Sequence, residues 1–282
     1  GQRRRLMIKD IVVNVSVGEG GDFAADYAVS VAEALDAHLT GIAFACDWAI
    51  PFAASGYVAP EVIEMQERDS KVSAQTALDR FAAAAARAGV AAAPVALPAT
   101  FAGAGDQFGL IARRFDLAIV GQAKPDKGAV EETIAEAALF ASGRPVIIVP
   151  YIQKAPLKLD RVMICWDGSR PAARAIADAM PLLERAQLVE VVIVANDSGK
   201  QEEIVGANMG QHLARHDLKV DVKRISSGGI DVADALLSHA ADASADFIVM
   251  GGYGHSRLRE YVLGGVTRSI LRSMTAPTLM SH

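Results

Sequence analysis

The chain is poor in cysteine, in basic charge and in long apolar runs, and each shortage removes a class of protein. Two cysteines, Cys46 and Cys165, in 282 residues cannot form a disulfide framework, and they fit a reducing cytoplasm. The formal net charge of -5 argues against nucleic acid as a partner, because phosphate backbones attract basic surfaces. The longest small-apolar region, 82–105, is broken by arginine and proline, so it is no membrane span. With no apolar signal-peptide core at the start, we expect a cytoplasmic protein without membrane contact.

Several catalytic motifs are missing as well. There is no Gly-x4-Gly-Lys-Ser/Thr loop, no Gly-x-Gly-x-x-Gly after the first strand and no Gly-x-Ser-x-Gly elbow, which argues against the enzymes built on them. His212 and His216 have the four-residue spacing of metal ligands but no acidic or cysteine partner nearby, so we interpret them as a solvated helix face. The sequence therefore predicts no catalytic residue and no metal site.

An internal repeat divides the chain into two similar halves. Each half opens on an apolar run that ends in glycine, Ile11–Gly18 and Arg161–Gly168. Near their ends, Phe115–Gly121 matches Ala245–Gly251. The separation of Asp10 from Asp47 equals that of Asp160 from Asp197, which aligns Asp10 with Asp160. The repeat predicts two domains, residues 6–153 and 158–282, joined by a linker at 154–158.

Alternating strand-like and helix-like segments set the fold class. The strand-like runs are continuously Val/Ile/Leu-rich, as in strands that are buried on both faces of a parallel sheet. The sequence predicts an α/β fold of two tandem doubly wound domains, each with a five-stranded, mainly parallel sheet. Ligands would bind at the carboxyl ends of the strands. Residues 50–68 have no full counterpart in the second half, and a longer loop is favoured there over a lid.

Clustered glycines follow the fourth strand of the second half. Gly251, Gly252 and Gly254 come first, and Gly264–Thr267 then opens a last helix that is predicted from Arg268 to Met274. Glycine lets the backbone approach an anion closely, and the amides and dipole of a helix N-terminus favour negative charge. These segments predict a phosphate-binding loop, although tight turns alone could also use such glycines.

The spacing Gly251-x2-Gly254-x9-Gly264 resembles the glycine pattern of the universal stress protein family. Asp167-Gly168-Ser169 after the first strand of this half, and the order of elements in both halves, also resemble that family. The resemblance implies an adenine nucleotide alpha hydrolase-like fold and a stress-response or signalling protein that binds ATP or another adenine nucleotide, with or without Mg²⁺. It implies contacts to the nucleoside from Asp167, Cys165 and Trp166, to adenine near Ala195, and to phosphates from Gly251, Gly254, Gly264, Gly265, Val266 and Thr267, with His255 and Arg257 adding positive charge.

Two departures from the family pattern stand out. The family has Ser or Thr directly after the third glycine, where this chain has Gly265. The phosphate-binding hydroxyl is lost there, and Thr267 could replace it. The first half has proline and charge in 121–128 and no Asp-Gly-Ser after its first strand. We therefore expect a degenerate first domain without a glycine loop, which is structural, regulatory or a binder of something else.

Three functions remain open at this point. The leading one is a nucleotide-binding, non-enzymatic stress or signalling protein, and the others are an interaction module without nucleotide and a weak ATPase or adenylating enzyme. The resemblance also implies pairing of the last strands, Val146–Val149 and Thr278–Met280, within one chain. Two such chains could pair further into a homodimer.

Overall fold

Strands and helices alternate along the whole described chain, as the repeat predicts. A computed structural model describes residues 7–18, 22–47, 60–125, 128–195, 208–252 and 265–282. None of the helices within these residues is long and apolar enough to cross a membrane.

The first half contains five strands and four helices. Its first helix begins after Asp22, whose carboxylate accepts hydrogen bonds from the amides of Ala24 and Ala25, and ends at Asp36 in the left-handed conformation. The elements are β1 (Asp10–Asn14), α1 (Phe23–Leu35), β2 (His38–Asp47), α2 (Pro60–Arg87), β3 (Ala92–Thr100), α3 (Gly103–Ala112), β4 (Leu117–Gly121), α4 (Ala129–Ala141) and β5 (Val146–Val149).

The second half repeats this order. Its helix α7 is capped by Asp231, which accepts a hydrogen bond from the amide of Ala233. The elements are β6 (Arg161–Cys165), α5 (Arg170–Leu183), β7 (Leu188–Ala195), α6 (described over residues 208–214), β8 (Val220–Ser226), α7 (Val232–Asp242), β9 (Phe247–Gly251), α8 (Gly265–Ser273) and β10 (Thr278–Ser281).

The extra segment of the first half is helical in its described part. Helix α2 begins at Pro60 and runs for 28 residues, so the interpretation of 50–68 as a loop is wrong for 60–68. Proline suits the first turn of a helix, where its missing N–H would have no intrahelical partner. The buried residues of α2 all lie at or beyond Ala74, so its first turns have few apolar contacts and left only a weak helical pattern in the sequence.

All ten strands form one sheet in the order β3-β2-β1-β4-β5-β10-β9-β6-β7-β8. Neighbouring strands are parallel within each half. The two halves meet where β5 and β10 pair antiparallel, with Leu279 opposite Ile147. This confirms the predicted parallel sheets and the predicted pairing of the last strands.

Two hydrophobic clusters cover the two faces of the sheet, and each contains residues from both halves. Helices α1, α2, α5 and α6 contribute to one cluster, and α3, α4, α7 and α8 to the other. The edge strand β3 carries Pro94 and Pro98 and pairs only with β2, which suits proline because an edge strand can spare N–H groups. The inner strands are almost completely buried.

Gln122 ties the two halves together beside the antiparallel seam. It follows β4, is 4% exposed, and its Nε2 donates to the carbonyl oxygens of Leu271 (2.8 Å) and Arg272 (3.1 Å) near the end of α8. Its Oε1 accepts from the amide of Tyr151 at 3.1 Å. One buried carboxamide thus satisfies backbone groups of both halves.

We predict that Gln122→Leu lowers the free energy of unfolding by about 2 kcal/mol, because it leaves two carbonyls and one amide without their partner. Chemical denaturation of the full chain measures this change. Gln107→Leu on the exposed side of α3 is the matched control, with an expected change below about 0.5 kcal/mol. Equal effects of the two substitutions would contradict the assignment.

Candidate functional site

The turn after β6 is held by hydrogen bonds within it. The Oδ1 of Asp167 accepts from the amide of Ser169 at 3.0 Å, and Gly168 has φ +75°, which glycine adopts at little cost. Ser169 then caps α5 by accepting from the amide of Ala172 at 3.2 Å. The exposed Asp167 carboxylate is therefore held at the carboxyl end of β6.

Three strand ends meet at this edge of the sheet. Cys165, at the end of β6, pairs with Val192 of β7 on one side and with Met250 of β9 on the other. Ala195 ends β7 and Gly251 ends β9. Strands β7 and β8 lie on one side of β6, and β9 and β10 lie on the other. The strand order therefore reverses at β6, and this edge is the switch point where doubly wound folds bind ligands.

Trp166 and Cys165 lie below the turn and are both partly buried. The indole N–H of Trp166 is buried and finds no hydrogen-bond acceptor in the described structure. Burial, with a smaller contribution from the nearby Asp167 carboxylate, raises the pKa of the Cys165 thiol to about 12. A thiol with that pKa stays protonated at neutral pH, so it makes a poor nucleophile.

Gly251 serves helix packing. A Cβ on it would lie 2.6 Å from the amide nitrogen of Ala172 and 2.8 Å from the carbonyl carbon of Pro171, so only glycine lets α5 begin this close to β9. The next residue, Gly252, donates its amide to the carbonyl oxygen of Ser281 at 2.8 Å. A phosphate contact by Gly251 stays a prediction, and packing alone already accounts for this glycine.

Helix α8 begins at Gly265, three residues before the Arg268 start expected from the sequence. Gly265 is exposed, and a Cβ added to it would meet no atom within 4 Å. Val266 is half-buried, and Thr267 is 0% exposed, so its side chain points into the protein in this structure. The remaining predicted phosphate contacts, Gly254, His255, Arg257 and Gly264, lie outside the described residues.

The second half also matches a known family. Residues 158–282 match the sequence model of the universal stress protein family. This half of the chain is a universal stress protein domain. The match confirms the family predicted from the glycine spacing and the Asp-Gly-Ser turn, and it covers the switch-point edge described above.

Similarity to individual proteins is weaker in sequence than in structure. The chain is 23% identical over 139 residues to Universal stress protein Slr1230 of Synechocystis, which covers 48% of this chain and 46% of that protein. The aligned region thus spans about half the length of the curated relative.

Two solved structures share the fold over nearly the whole chain. A universal stress protein from Archaeoglobus fulgidus superimposes with a TM-score of 0.73 at 17% identity, over 95% of this chain and 96% of that one. The functionally unknown protein PA1789 from Pseudomonas aeruginosa gives a TM-score of 0.61 at 14% identity, over 96% and 92%. At these identities the likeness shows the fold alone, and it extends over the first half as well.

The strand pairing of the two halves shows which residues correspond, and this correspondence differs by one residue from the alignment predicted from the sequence. The amide of Asp10 donates to Asp116 Oδ2 at 3.1 Å, and that of Arg161 to Asp246 Oδ2 at 2.9 Å. Asp10 therefore corresponds to Arg161, and the alignment of Asp10 with Asp160 is wrong. The sequence spacing failed because the first half has one more residue between its first two strands.

This register changes which residues of the two halves correspond. Asn14 of the first half takes the place of Cys165, and Ser16 takes the place of Asp167. The pairing of β1 with β4, compared with that of β6 with β9, places Gln122 where the universal stress protein half has Gly252. The sequence analysis missed both Asn14 and Gln122, because a polar residue at the end of an apolar run looks like an ordinary strand end.

The histidine pair is not part of a larger metal-binding group. The rings of His212 and His216 lie 5.0 Å apart on α6 in an edge-to-face arrangement. Over the described ranges, no group of three or more His, Cys, Asp or Glu side chains could hold a metal ion.

We predict that Gly251→Ala lowers the free energy of unfolding by about 2 kcal/mol or more, because the new methyl group meets backbone atoms of α5 that cannot turn away. Gly252→Ala is the matched control. Its methyl group would lie 2.9 Å from the ends of the Leu139 side chain, which can rotate, so we expect less than about 1 kcal/mol. Urea denaturation distinguishes the two, and the reverse order would contradict the packing role.

We also predict slow alkylation of Cys165. With the pKa of this thiol raised to about 12, only about one molecule in 10⁴ is a thiolate at pH 8, against roughly one in ten for an unperturbed thiol, so iodoacetamide should react on the order of 1,000-fold slower than with the guanidinium-unfolded chain. Asp167→Asn should speed the reaction, because it removes a carboxylate that raises the thiol pKa. Peptide mass spectrometry measures the rate, and equal rates in folded and unfolded protein would disprove the raised pKa.

Proposed function

We propose that the universal stress protein half binds an adenine nucleotide at the carboxyl ends of β6, β7 and β9, and that the chain acts as a cytoplasmic stress-response or signalling protein. The observation that carries the proposal is the meeting of the Asp167 turn with the end of β9 at the switch point of a domain of this family. Residues 6–153 form the degenerate first domain of this proposal and residues 158–282 the nucleotide-binding one.

Two local features support a ligand of this kind. The buried N–H of Trp166 has no acceptor in the described structure, and an unpaired buried donor costs free energy that a ligand acceptor could recover. Gly265 lies exposed at the start of α8 with open space around it. Among the residues that the structure describes, no packing contact accounts for a glycine there, whereas a phosphate close to the amides of a helix N-terminus would.

The proposed roles are those that the resemblance to the family implies. Asp167 would accept hydrogen bonds from the nucleoside, with Cys165 and Trp166 beside it, and Ala195 would lie near adenine. The phosphates would bind Gly251, Gly254, Gly264, Gly265, Val266 and Thr267, with charge from His255 and Arg257. Because Gly265 carries no hydroxyl, phosphate binding here rests on backbone amides, with or without Mg²⁺.

Isothermal titration of the full chain with ATP, ADP, AMP and cyclic AMP, each with and without Mg²⁺, tests the proposal. We predict saturable binding of one nucleotide per chain. Asp167→Ala should weaken it about tenfold or more, because a charge-assisted hydrogen bond to the nucleoside is lost. Gly254→Val should weaken it as well, by placing a side chain in the loop.

Ser16→Ala is the matched control, since Ser16 takes the place of Asp167 in the first half, and it should leave nucleotide affinity unchanged. Absence of saturable binding by any of the four nucleotides would overturn the proposal and favour an interaction module. Release of phosphate or pyrophosphate above background, lost in Asp167→Ala, would point to the enzymatic alternative.

A further inference from the structure

The first half contains a cavity of about 570 Å³ at the carboxyl ends of β1 and β2, next to α2 and the start of α4. Asn14 and Ser16 line it, and these residues take the places of Cys165 and Asp167. The cavity therefore lies at the switch point of the first half, where doubly wound folds bind ligands. Its volume is within the range of small-molecule sites.

The face of α2 that points to the sheet changes from apolar to polar where it reaches this cavity. Its C-terminal part is apolar and buried on the sheet, as expected for a helix that packs on a core. Its N-terminal part continues the same stripe at spacings of three and four residues but with polar side chains. The polar residues that line the cavity are Gln66, Asp69, Ser70 and Ser73.

One of these residues also anchors the helix. The hydroxyl of Ser70 donates to the carbonyl oxygen of Cys46, in β2, at 3.0 Å. This hydrogen bond fixes α2 against the carboxyl end of the sheet with Asp69 beside the cavity. A helix that served only to cover the sheet would gain more from apolar side chains on this stripe, so its polar side chains favour a ligand.

Asn14 is a second, independent indication of a ligand. It is 4% exposed and lines the cavity, and in the described part of the chain no hydrogen bond engages its carboxamide. Its polar atoms are not among the described side-chain atoms that are closed off without a partner, so the carboxamide is open to the cavity and free to bond what enters it. A ligand in the cavity would supply the missing donor or acceptor.

The charge of the lining selects the class of ligand. Asp69 enters from α2 and Glu131 from the first turn of α4. The described lining residues include no lysine, arginine or histidine, so a phosphate would meet carboxylates and no cation. The buried side chains of Phe44 and Ile134 provide an apolar wall.

We propose that the first half binds a small organic cation in this cavity. The Asp69 and Glu131 carboxylates hold its ammonium group, the Asn14 carboxamide hydrogen-bonds to it, and its apolar body packs against Phe44 and Ile134. The site is chemically distinct from the proposed nucleotide site, and it does not depend on nucleotide binding by the second half.

Saturation-transfer NMR on the full chain tests this with three probes of one shape: phenethylamine, which is cationic, phenethyl alcohol, which is neutral, and hydrocinnamate, which is anionic. We expect phenethylamine to bind saturably at millimolar concentrations or below, about tenfold tighter than the alcohol, and hydrocinnamate not to bind. Added salt should weaken amine binding, because it screens the carboxylates. Excess ATP should not displace the amine.

Asp69→Asn and Glu131→Gln, tested singly, should each weaken phenethylamine about tenfold and leave the thermal unfolding midpoint unchanged. Asp79→Asn is the matched control: Asp79 accepts a hydrogen bond from Gln75 on α2, is absent from the described cavity lining, and should leave the affinity unchanged. The proposal is overturned if no amine binding is seen, if the anion binds as well as the amine, if neither lining substitution weakens binding, or if ATP competes.

Discussion

The antiparallel pairing of β5 with β10 is the constraint on which the rest of the structure depends. Each half alone would expose β5 or β10 as an unpaired edge, and such edges invite aggregation. The pairing of Leu279 with Ile147 joins two five-stranded sheets into one of ten strands, and the two hydrophobic clusters run across the seam. The buried carboxamide of Gln122 reinforces it by bonding backbone groups on both sides. The halves are therefore one packed unit.

The same pairing separates the two candidate sites. Strands are parallel within each half and antiparallel across the seam, so the carboxyl ends of β1 and β4 lie at the opposite end of the sheet from those of β6 and β9. A ligand at one switch point cannot touch residues of the other. The residues of one candidate site can therefore differ from those of the other without a direct effect on it. Any effect of a ligand at one site on binding at the other would have to pass through the shared core or through contacts such as those of Gln122.

The repeat, the parallel sheets, the pairing of the last strands and the family could be predicted from the sequence. Each of them depends on long apolar runs or on the spacing of glycines, which are visible in the sequence itself. Prediction from the sequence failed where tertiary contacts decide. The segment 50–68 was expected to be a loop, but 60–68 is helix, and its first turns have few apolar contacts that could have marked it as helical in the sequence. The register of the halves was wrong by one residue because strand pairing sets it. Gly251 has a packing role that only the approach of α5 to β9 reveals, and the burial of Thr267 could not be read from its position after the glycines.

The two halves carry different residues at the same topological position. At the end of the first strand, the universal stress protein half has the turn of Asp167 to Ser169, whereas the first half has Asn14 and Ser16 in the equivalent places. At the helix after the fourth strand, one half begins at the exposed Gly265 and the other carries Glu131 and Glu132 in its first turn. Bare amides at a helix N-terminus favour an anion, and a carboxylate in that turn occupies the same positive end. The described residues at the two helix starts therefore differ in charge, because α4 has two carboxylates in its first turn and α8 has none in its described first turn.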